Sequence, residues 1–371
     1  MRRSEYSREG NAPRRTILAS MVNGIVLILS IAAAISLLLT LIAPHIDPSV
    51  SWIFPILGLV APAIYIANVI LALYWVICWR WYSIPMIALL ICGVNNISLF
   101  VNMEISKDYG LDDYRNMPKV MSYNVRQFFN DDKQWSTEEV ALYVEEQNPD
   151  IICFQEYNTG AKRLTEDMRD RLNKYSRAEF KTLAIYSRYP IIKKENIFTK
   201  DSNESWRAMW VDLVIREDTI RVFNNHLHST TINAKDDEYI TSRQIVQDTL
   251  RSDKIQDMLL RFRNSSMERN RQVDTIAQVI TQSPHPVVVC GDFNDTPMSH
   301  TYNIMSRGLK DAFQQSGKGY SYTYRGFYNT LRIDYILVSE GITTHNYQVD
   351  EECTISDHLP IMTHIEINKH K

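Results

Sequence analysis

Between Ile17 and Met103 the chain passes through three stretches without a single Asp, Glu, Lys or Arg: Ile17–Ala43, Ser51–Trp79 and Trp81–Met103, of 27, 29 and 23 residues. They are the strongest constraint on what the chain can become, because about 20 mostly apolar residues suffice to span the roughly 30 Å hydrocarbon layer of a bilayer. The first is also too long for the apolar part of a typical cleaved signal peptide. The sequence therefore predicts a cytoplasmic basic tail over residues 1–15 and three transmembrane helices within 16–103. Pro85, Gly93 and the pair Asn95-Asn96 fall in the third stretch, where an interfacial or re-entrant segment stays open as an alternative. Arg2, Arg3, Arg8, Arg14 and Arg15 precede the first stretch, PHIDPSV beyond it has no Lys or Arg, and Arg80 separates the second from the third. Cytoplasmic loops carry the Lys and Arg excess, so the N-terminus and Arg80 are expected inside. Three spans then put the rest of the chain outside the cytoplasm, on the periplasmic or cell-surface side.

After a polar linker, 104–115, the character changes. Residues 116–371 carry 32 Lys or Arg against 36 Asp or Glu, a net charge of -4. That balance disfavours tight, sequence-independent binding of long nucleic acid, which normally needs a basic excess. Cys153, Cys290 and Cys353 are scattered singly, without disulfide-framework or zinc spacing, and read as buried thiols. KVMSYNV, DIICFQE, LAIYSRYPII, MWVDLVI, TIRVFNNHLHS, HPVVVCGDFN, LRIDYILVS and LPIMTHIEI read as strands; residues 137–146, 161–174 and 236–281 read as helices. Alternation over some 250 residues predicts one α/β domain with layered sheets and helices outside. Every residue singled out below follows Met121, so 116–371 is expected to fold without the membrane region.

Polar residues collect at the strand ends. Asn124 closes the first strand, Glu156 the second and His226 the fifth; Asp292 and Asn294 close the sixth, and Asp357-His358 precede the last. Asp334 sits within an otherwise apolar strand, where a lone charge is costly unless paired. Each has an ordinary structural explanation alone: a turn amide, a surface acid, a satisfied histidine, a pair between Asp334 and Arg332. Jointly they require the same accident at five strand ends.

Four motifs in order, FQE (Phe154–Glu156), GDFND (Gly291–Asp295), RIDYILVS (Arg332–Ser339) and SDHLP (Ser356–Pro360), with weaker matches at SRYPI and NNHLHS, make the region from Ser122 to Ile361 resemble the endonuclease/exonuclease/phosphatase superfamily. That group contains pancreatic deoxyribonuclease, abasic-site endonucleases, bacterial sphingomyelinases and inositol polyphosphate 5-phosphatases. The resemblance implies a two-sheet β-sandwich flanked by helices, a four-layer α/β/β/α fold, with one edge of both sheets forming the active site. It further implies hydrolysis of a phosphodiester with Mg or Mn held by Glu156 and Asn124, completed by Asp357, since hard cations favour oxygen ligands. His358 would face the attacking water or the phosphate, oriented by Asp334, and Asp292 would orient or deprotonate that water. Asn294 would hold a phosphate oxygen or the Asp292 side chain. His226 would stabilise the phosphorane or protonate the leaving oxygen. Which histidine is acid and which base stays open. His228, on the same strand face as His226, is a candidate substrate contact, and Arg188 in SRYPI a candidate phosphate ligand.

Substrate identity is not legible. A membrane-attached extracytoplasmic domain suits a phospholipid head group, an extracellular nucleic acid or a nutrient phosphate ester. The competing functions are a catalytically silent phosphate-binding module and an accessory domain of a transporter or receptor. None of the eight rim residues is missing, which argues against the first. The apolar stretches hold no Asp, Glu, Lys, Arg or His to mark an ion or substrate path, which argues against the second.

Overall fold

The computed structural model describes residues 12–103, 114, 116–130, 134–157, 162–199, 206–230 and 253–368. They form two compact units, one of residues up to Ile42 with Val60–Val94, the other of Ala43–Leu59 with Asn95–Lys371.

In the first unit the helices Ala12–Ile42, Ala61–Ile77 and Ser83–Cys92 pack together. Three of their polar side chains hydrogen-bond between helices, a common glue in apolar settings. Trp75 Nε1 donates to Ser30 Oγ at 2.8 Å, Asn68 Nδ2 to the Ala33 carbonyl at 3.0 Å and Tyr74 OH to Asn23 Oδ1 at 2.6 Å. Ile28, Ile31 and Ile35 on the first helix are exposed.

Helix length bears on the three expected transmembrane spans. Among the described residues one helix, Ala19–His45, is long and apolar enough to cross a membrane, and there are two only if Ile53–Leu59 and Ala61–Ile77 count as one span across the break at Val60. The third apolar stretch yields a helix of 10 residues, about 15 Å at 1.5 Å per residue. It stops at Gly93, where a Cβ would lie 2.5 Å from the Tyr65 hydroxyl; that hydroxyl donates to the Gly93 carbonyl.

The second unit contains fourteen described strands: β1 (Val101–Asn102), β2 (Lys119–Asn124), β3 (Ile151–Gln155), β4 (Ser176–Phe180), β5 (Leu183–Ser187), β6 (Ile191–Phe198), β7 (Trp206–Ile215), β8 (Asp218–His226), β9 (Val287–Asp292), β10 (Lys310–Asp311), β11 (Gly319–Tyr320), β12 (Asp334–Val338), β13 (Ile342–Val349) and β14 (Ile361–Ile367). One sheet runs β13-β14-β2-β3-β5-β4, the other β10-β12-β9-β8-β7-β6. Side chains alternate across a strand, and the burial follows. Val120, Ile151 and Cys153 meet Val222, Val288 and Cys290 between the sheets. Met121, Ile152 and Phe154 pack outward under the helix Thr137–Gln147. Phe223 and Val289 pack outward under the helix Asp253–Thr281. This is the expected four-layer α/β/β/α sandwich.

The central pairs β2/β3 and β8/β9 are parallel, each joined by a crossover containing one of those helices, so their carboxyl ends emerge together at one edge. LAIYSRYPII splits at Pro190 into β5 and β6, and LRIDYILVS becomes regular strand only at Asp334. Of the expected helix 236–281, residues 236–252 lie outside the described residues.

Two segments assigned to the membrane region by composition belong to this unit. β1 pairs with β11, and Asn102 Nδ2 donates to the Phe313 and Gln314 carbonyls, each at 2.9 Å. The buried Arg332 donates to the Leu99 carbonyl at 2.9 Å. From the earlier segment, His300 Nδ1 donates to the Pro44 carbonyl at 3.1 Å and Thr296 Oγ1 to the Gly58 carbonyl at 3.2 Å. A fragment starting at residue 116 would leave these groups without their partners. The compact unit that holds the sandwich includes Ala43–Leu59 and the chain from Asn95 onward.

Candidate active site

The site is built where the parallel strands end. Asn124 is level with Gln155 across β2/β3, His226 with Asp292 across β8/β9, and Asp334 with Asp292 across β12/β9. A buried amide network fixes the two sheets just beneath: Gln155 Nε2 donates to Asn224 Oδ1 at 2.7 Å and to Ser122 Oγ at 3.1 Å. Gly291 permits the close approach of β8. Its φ is +141°, and a Cβ there would lie 2.0 Å from the Asn225 carbonyl oxygen. Immediately beyond the strands the chain turns left-handed at Glu156 (φ 51°) and Asn294 (φ 52°). Asn tolerates that conformation; Glu does so rarely, and such strain concentrates at functional sites.

Seven of the expected residues form one connected cluster. Asn124 Nδ2 donates to Asp292 Oδ2 at 3.0 Å and lies 3.5 Å from Glu156 Oε1. Asn294 grips Asp292 twice, through its backbone N–H at 2.8 Å and its Nδ2 at 3.0 Å. Of its two expected roles, holding Asp292 is the one the geometry displays. His358 Nδ1 donates to Asp334 Oδ2 at 3.0 Å, and its Nε2 lies 3.7 Å from Asp292 Oδ2. Thr323 Oγ1 accepts the Asp334 backbone N–H, which fixes that carboxylate. Arg332 pairs instead with Asp311 at 2.8 Å, so Asp334 is left to His358.

Electrostatics separates the two histidines. Burial alone would lower His358, but the Asp334 and Asp292 carboxylates on either side raise it to about 10, so it is a cation at neutral pH. Burial holds His226 below its usual range, outweighing the pull of Asp292 and Glu156. Its Nε2 is buried without a hydrogen-bond partner, 3.7 Å from Glu156 Oε1 and 3.9 Å from Asp292 Oδ2. Burial pushes Asp292 up to about 6 against the opposing influence of His358.

The eighth rim residue, Asp357, lies at the cavity wall, but its carboxylate faces Arg126 at 3.4 Å and accepts from Ser356 Oγ. Two other expected residues, Arg188 and His228, are held elsewhere. Arg188 follows the carboxyl end of β5, which runs antiparallel to β3, so it sits beside Asp150 at the opposite end of the sheet from Glu156. It pairs with Asp150 at 3.2 Å and with Asn148, and stacks over Tyr175. His228 is held by its backbone, to Gln272 at 2.9 Å and to Arg269 at 3.0 Å; its neighbours Ser229 and Thr230 line the cavity instead.

That cavity measures about 160 Å³. Its lining includes the polar Glu156, Asp292, Asp295, Asp357 and His358 and the apolar Leu59, Phe262, Phe327, Leu331 and Ile333. The apolar lining had no local signature in the sequence. Asp295 could have been found as the last residue of GDFND; it pairs at 3.2 Å with the fully buried Arg269.

The donors suit a hard divalent cation. The Glu156 carboxylate is part-exposed at 27%, faces the cavity beside the Asn124 amide and adjoins the orphaned His226 nitrogen. The buried trio Asp292, Asp334 and His358 also brings three ligand atoms within 4.8 Å of one another. There, however, the imidazole Nδ1 and the Asp334 carboxylate are already taken up with each other. Glu156 is the better-fitting carboxylate; beside it Asn124 turns its Nδ2, and its Oδ1 accepts from the Arg126 N–H at 3.0 Å.

A sequence model of the endonuclease/exonuclease/phosphatase family matches residues 121–358, and one of a domain of unknown function matches residues 23–100. No curated protein matches. Similar solved structures include an endonuclease/exonuclease/phosphatase from Beutenbergia cavernae, 14% identical over 68% of this chain and 72% of that one, with a TM-score of 0.48. Another is the mannosyl-6-phosphatase of Bacteroides thetaiotaomicron, 20% identical over 67% and 100%, with a TM-score of 0.47. A third is the human Nocturnin catalytic domain with bound sulfate, 17% identical over 68% and 96%, also with a TM-score of 0.47.

Proposed function

Because the chain belongs to the endonuclease/exonuclease/phosphatase family, we propose that it is a divalent-metal-dependent phosphoesterase that cleaves a phosphodiester by attack of water at the sandwich rim. The observation that carries this is His358 set between the Asp334 and Asp292 carboxylates, which favour its charged form, with Asn124 linking Asp292 to Glu156. Asp292, raised toward neutrality and steered by Asn294, takes a proton from water as the water oxygen bonds to phosphorus. His358 donates from Nε2 to a phosphoryl oxygen and offsets the charge that develops there. As the P–O bond to one ester group breaks, the neutral His226 relays the proton from Asp292 to the leaving oxygen. Water is consumed; an alcohol and a phosphomonoester are released. Mg or Mn at Glu156 and Asn124 would polarise a phosphoryl oxygen and offset transition-state charge.

A diester fits better than a monoester. Among the described residues no Lys or Arg lines the cavity, while several carboxylates do, and a diester brings one negative charge where a monoester brings nearly two. With Mg or Mn, the full-length protein in detergent is expected to hydrolyse diesters at least about tenfold faster than matched monoesters. Faster monoester hydrolysis would make it a phosphatase, and phosphate binding without cleavage of any ester would make it a silent module.

The apolar helix Ala19–His45 supports membrane anchoring, and flanking charge supports a cytoplasmic N-terminus. The side on which the site lies then depends on that helix alone. Ala43–Leu59 and everything from Asn95 form one compact unit, and one compact unit occupies one face of a bilayer. A reporter active only outside the cytoplasm should therefore respond equally at the C-terminus and when inserted at Ser49. Opposite readings at the two positions would contradict this.

A further inference from the structure

The proton relay proposed above needs His226 and Asp292 at a set separation, and His226 Nε2 lies 3.9 Å from Asp292 Oδ2. The two residues end neighbouring parallel strands and are level with each other. One residue further the chains are still joined: the Leu227 N–H donates to the Asp292 carbonyl at 3.0 Å, and Asn294 Nδ2 to the Leu227 carbonyl at 3.2 Å. They then run on as two loops, 228–230 and 293–296, both of which border the cavity.

Arg269, fully buried on the helix Asp253–Thr281, bridges these loops. Its Nε donates to Asp295 Oδ2 at 3.2 Å, and its Nη1 to the His228 carbonyl at 3.0 Å and to Thr230 Oγ1 at 3.1 Å. Its Nη2 donates to Ser266 Oγ of its own helix at 3.2 Å. One turn along, the buried Gln272 accepts the His228 N–H at 2.9 Å. The backbone of His228 is thus gripped at both its N–H and its carbonyl, two residues after His226. Asp295 is gripped three residues after Asp292, and its carbonyl accepts from Tyr335 OH at 2.8 Å.

We infer that Arg269 is a positioning residue for this hydrolysis, fixing the separation of the loops that leave β8 and β9 and thereby the alignment of His226 with Asp292. The inference rests on the phosphodiesterase reading above. Stability alone does not call for a charge here, because desolvation offsets much of the attraction in a buried ion pair and apolar packing of the same volume often serves as well. What the guanidinium adds is direction. Its planar fork sends donors to two loops and to its own helix at once, which a Lys ammonium, a point charge on a flexible stem, does not reproduce. Small displacements matter, since a misplacement of about 1 Å can cost about 10²-fold in rate.

Misalignment would act on one step. Asp292 keeps its hold from Asn124 and its pairing with β12, so attack of water persists, while proton delivery from His226 to the leaving oxygen is lost. Groups that depart readily as anions tolerate that loss; groups that need the proton do not. The test is a series of methyl aryl phosphates, from 4-nitrophenyl to unsubstituted phenyl, hydrolysed with Mg or Mn by the full-length protein in detergent. Wild-type kcat should vary little along the series. Arg269→Lys should match it within about threefold on the 4-nitrophenyl ester and fall about 10- to 10²-fold on the phenyl ester, with KM changed less than about threefold throughout. Gln272→Met, which leaves no buried charge unpaired, should tilt the series in the same direction.

Equal or absent losses on every ester in folded Arg269→Lys overturn the inference, and so does a wild-type series already as steep as that of the variant. If Arg269→Lys shows no cooperative thermal transition, Gln272→Met decides by the same criterion. Failure of both to fold also overturns it, since the pair would then carry the fold rather than the alignment. Wild-type protein inert on every ester overturns the phosphodiesterase reading itself, and the role of Arg269 with it.

Discussion

Asp292→Asn is expected to lower diester hydrolysis by about 10³-fold, and His358→Ala by at least about 10²-fold, with both proteins still folded. The size follows from the roles. A positioned base is typically worth 10² to 10⁴ in rate, and one charged donor aimed at the transition state about as much. Asn at 292 keeps the size and one acceptor oxygen for the amide groups of Asn124 and Asn294, but cannot take a proton. It also removes one of the two carboxylates that hold His358 charged, so the effects of the two substitutions should be less than additive in free energy. Rates from steady-state hydrolysis, with folding checked by a cooperative thermal transition, decide the matter. Loss of less than about tenfold in a folded Asp292→Asn would remove the assigned base.

Much of this site was legible because it lies at the ends of strands that announce themselves. Asn124, Glu156, His226 and Asp292 each follow a β-branched or apolar run, and parallel pairing brings their carboxyl ends to one edge. Arg188 misled because strand direction is not written in a strand: it too follows an apolar run, but β5 is antiparallel to β3, which carries its end away from the rim. Asp334 raised the right question, how a buried charge is compensated, with two candidate partners. The fold chose His358, because Arg332 is already held by Asp311 and the Leu99 carbonyl.

The larger omission was Ala43–Leu59. PHIDPSV and the residues after it read locally as a loop leading into an apolar stretch, yet Pro44 and Gly58 meet His300 and Thr296, 256 and 238 positions later. No periodicity or turn chemistry reports a contact of that range. In the third apolar stretch absence of charge suggested a span or a re-entrant segment, and the helix there, ending at Gly93, has 10 residues.

The central claim is that this rim hydrolyses a phosphoester with a divalent ion at Glu156. Glu156 contributes the part-exposed carboxylate of the cluster and sits in a strained left-handed conformation that aims it there. Asp292 and Asp334 are both engaged by His358 or amides. Glu156→Gln keeps the shape and removes the charge, so metal affinity should fall sharply while the fold persists. The most direct measurement is the initial rate of diester hydrolysis by the full-length protein as Mg or Mn is titrated from excess chelator, repeated for Glu156→Gln. The account predicts no turnover in chelator, full recovery with excess metal, and at least about 10²-fold lower activity for Glu156→Gln at the metal concentration that saturates the wild type. Undiminished hydrolysis in chelator, or a Glu156→Gln titration that overlays the wild type, would contradict it.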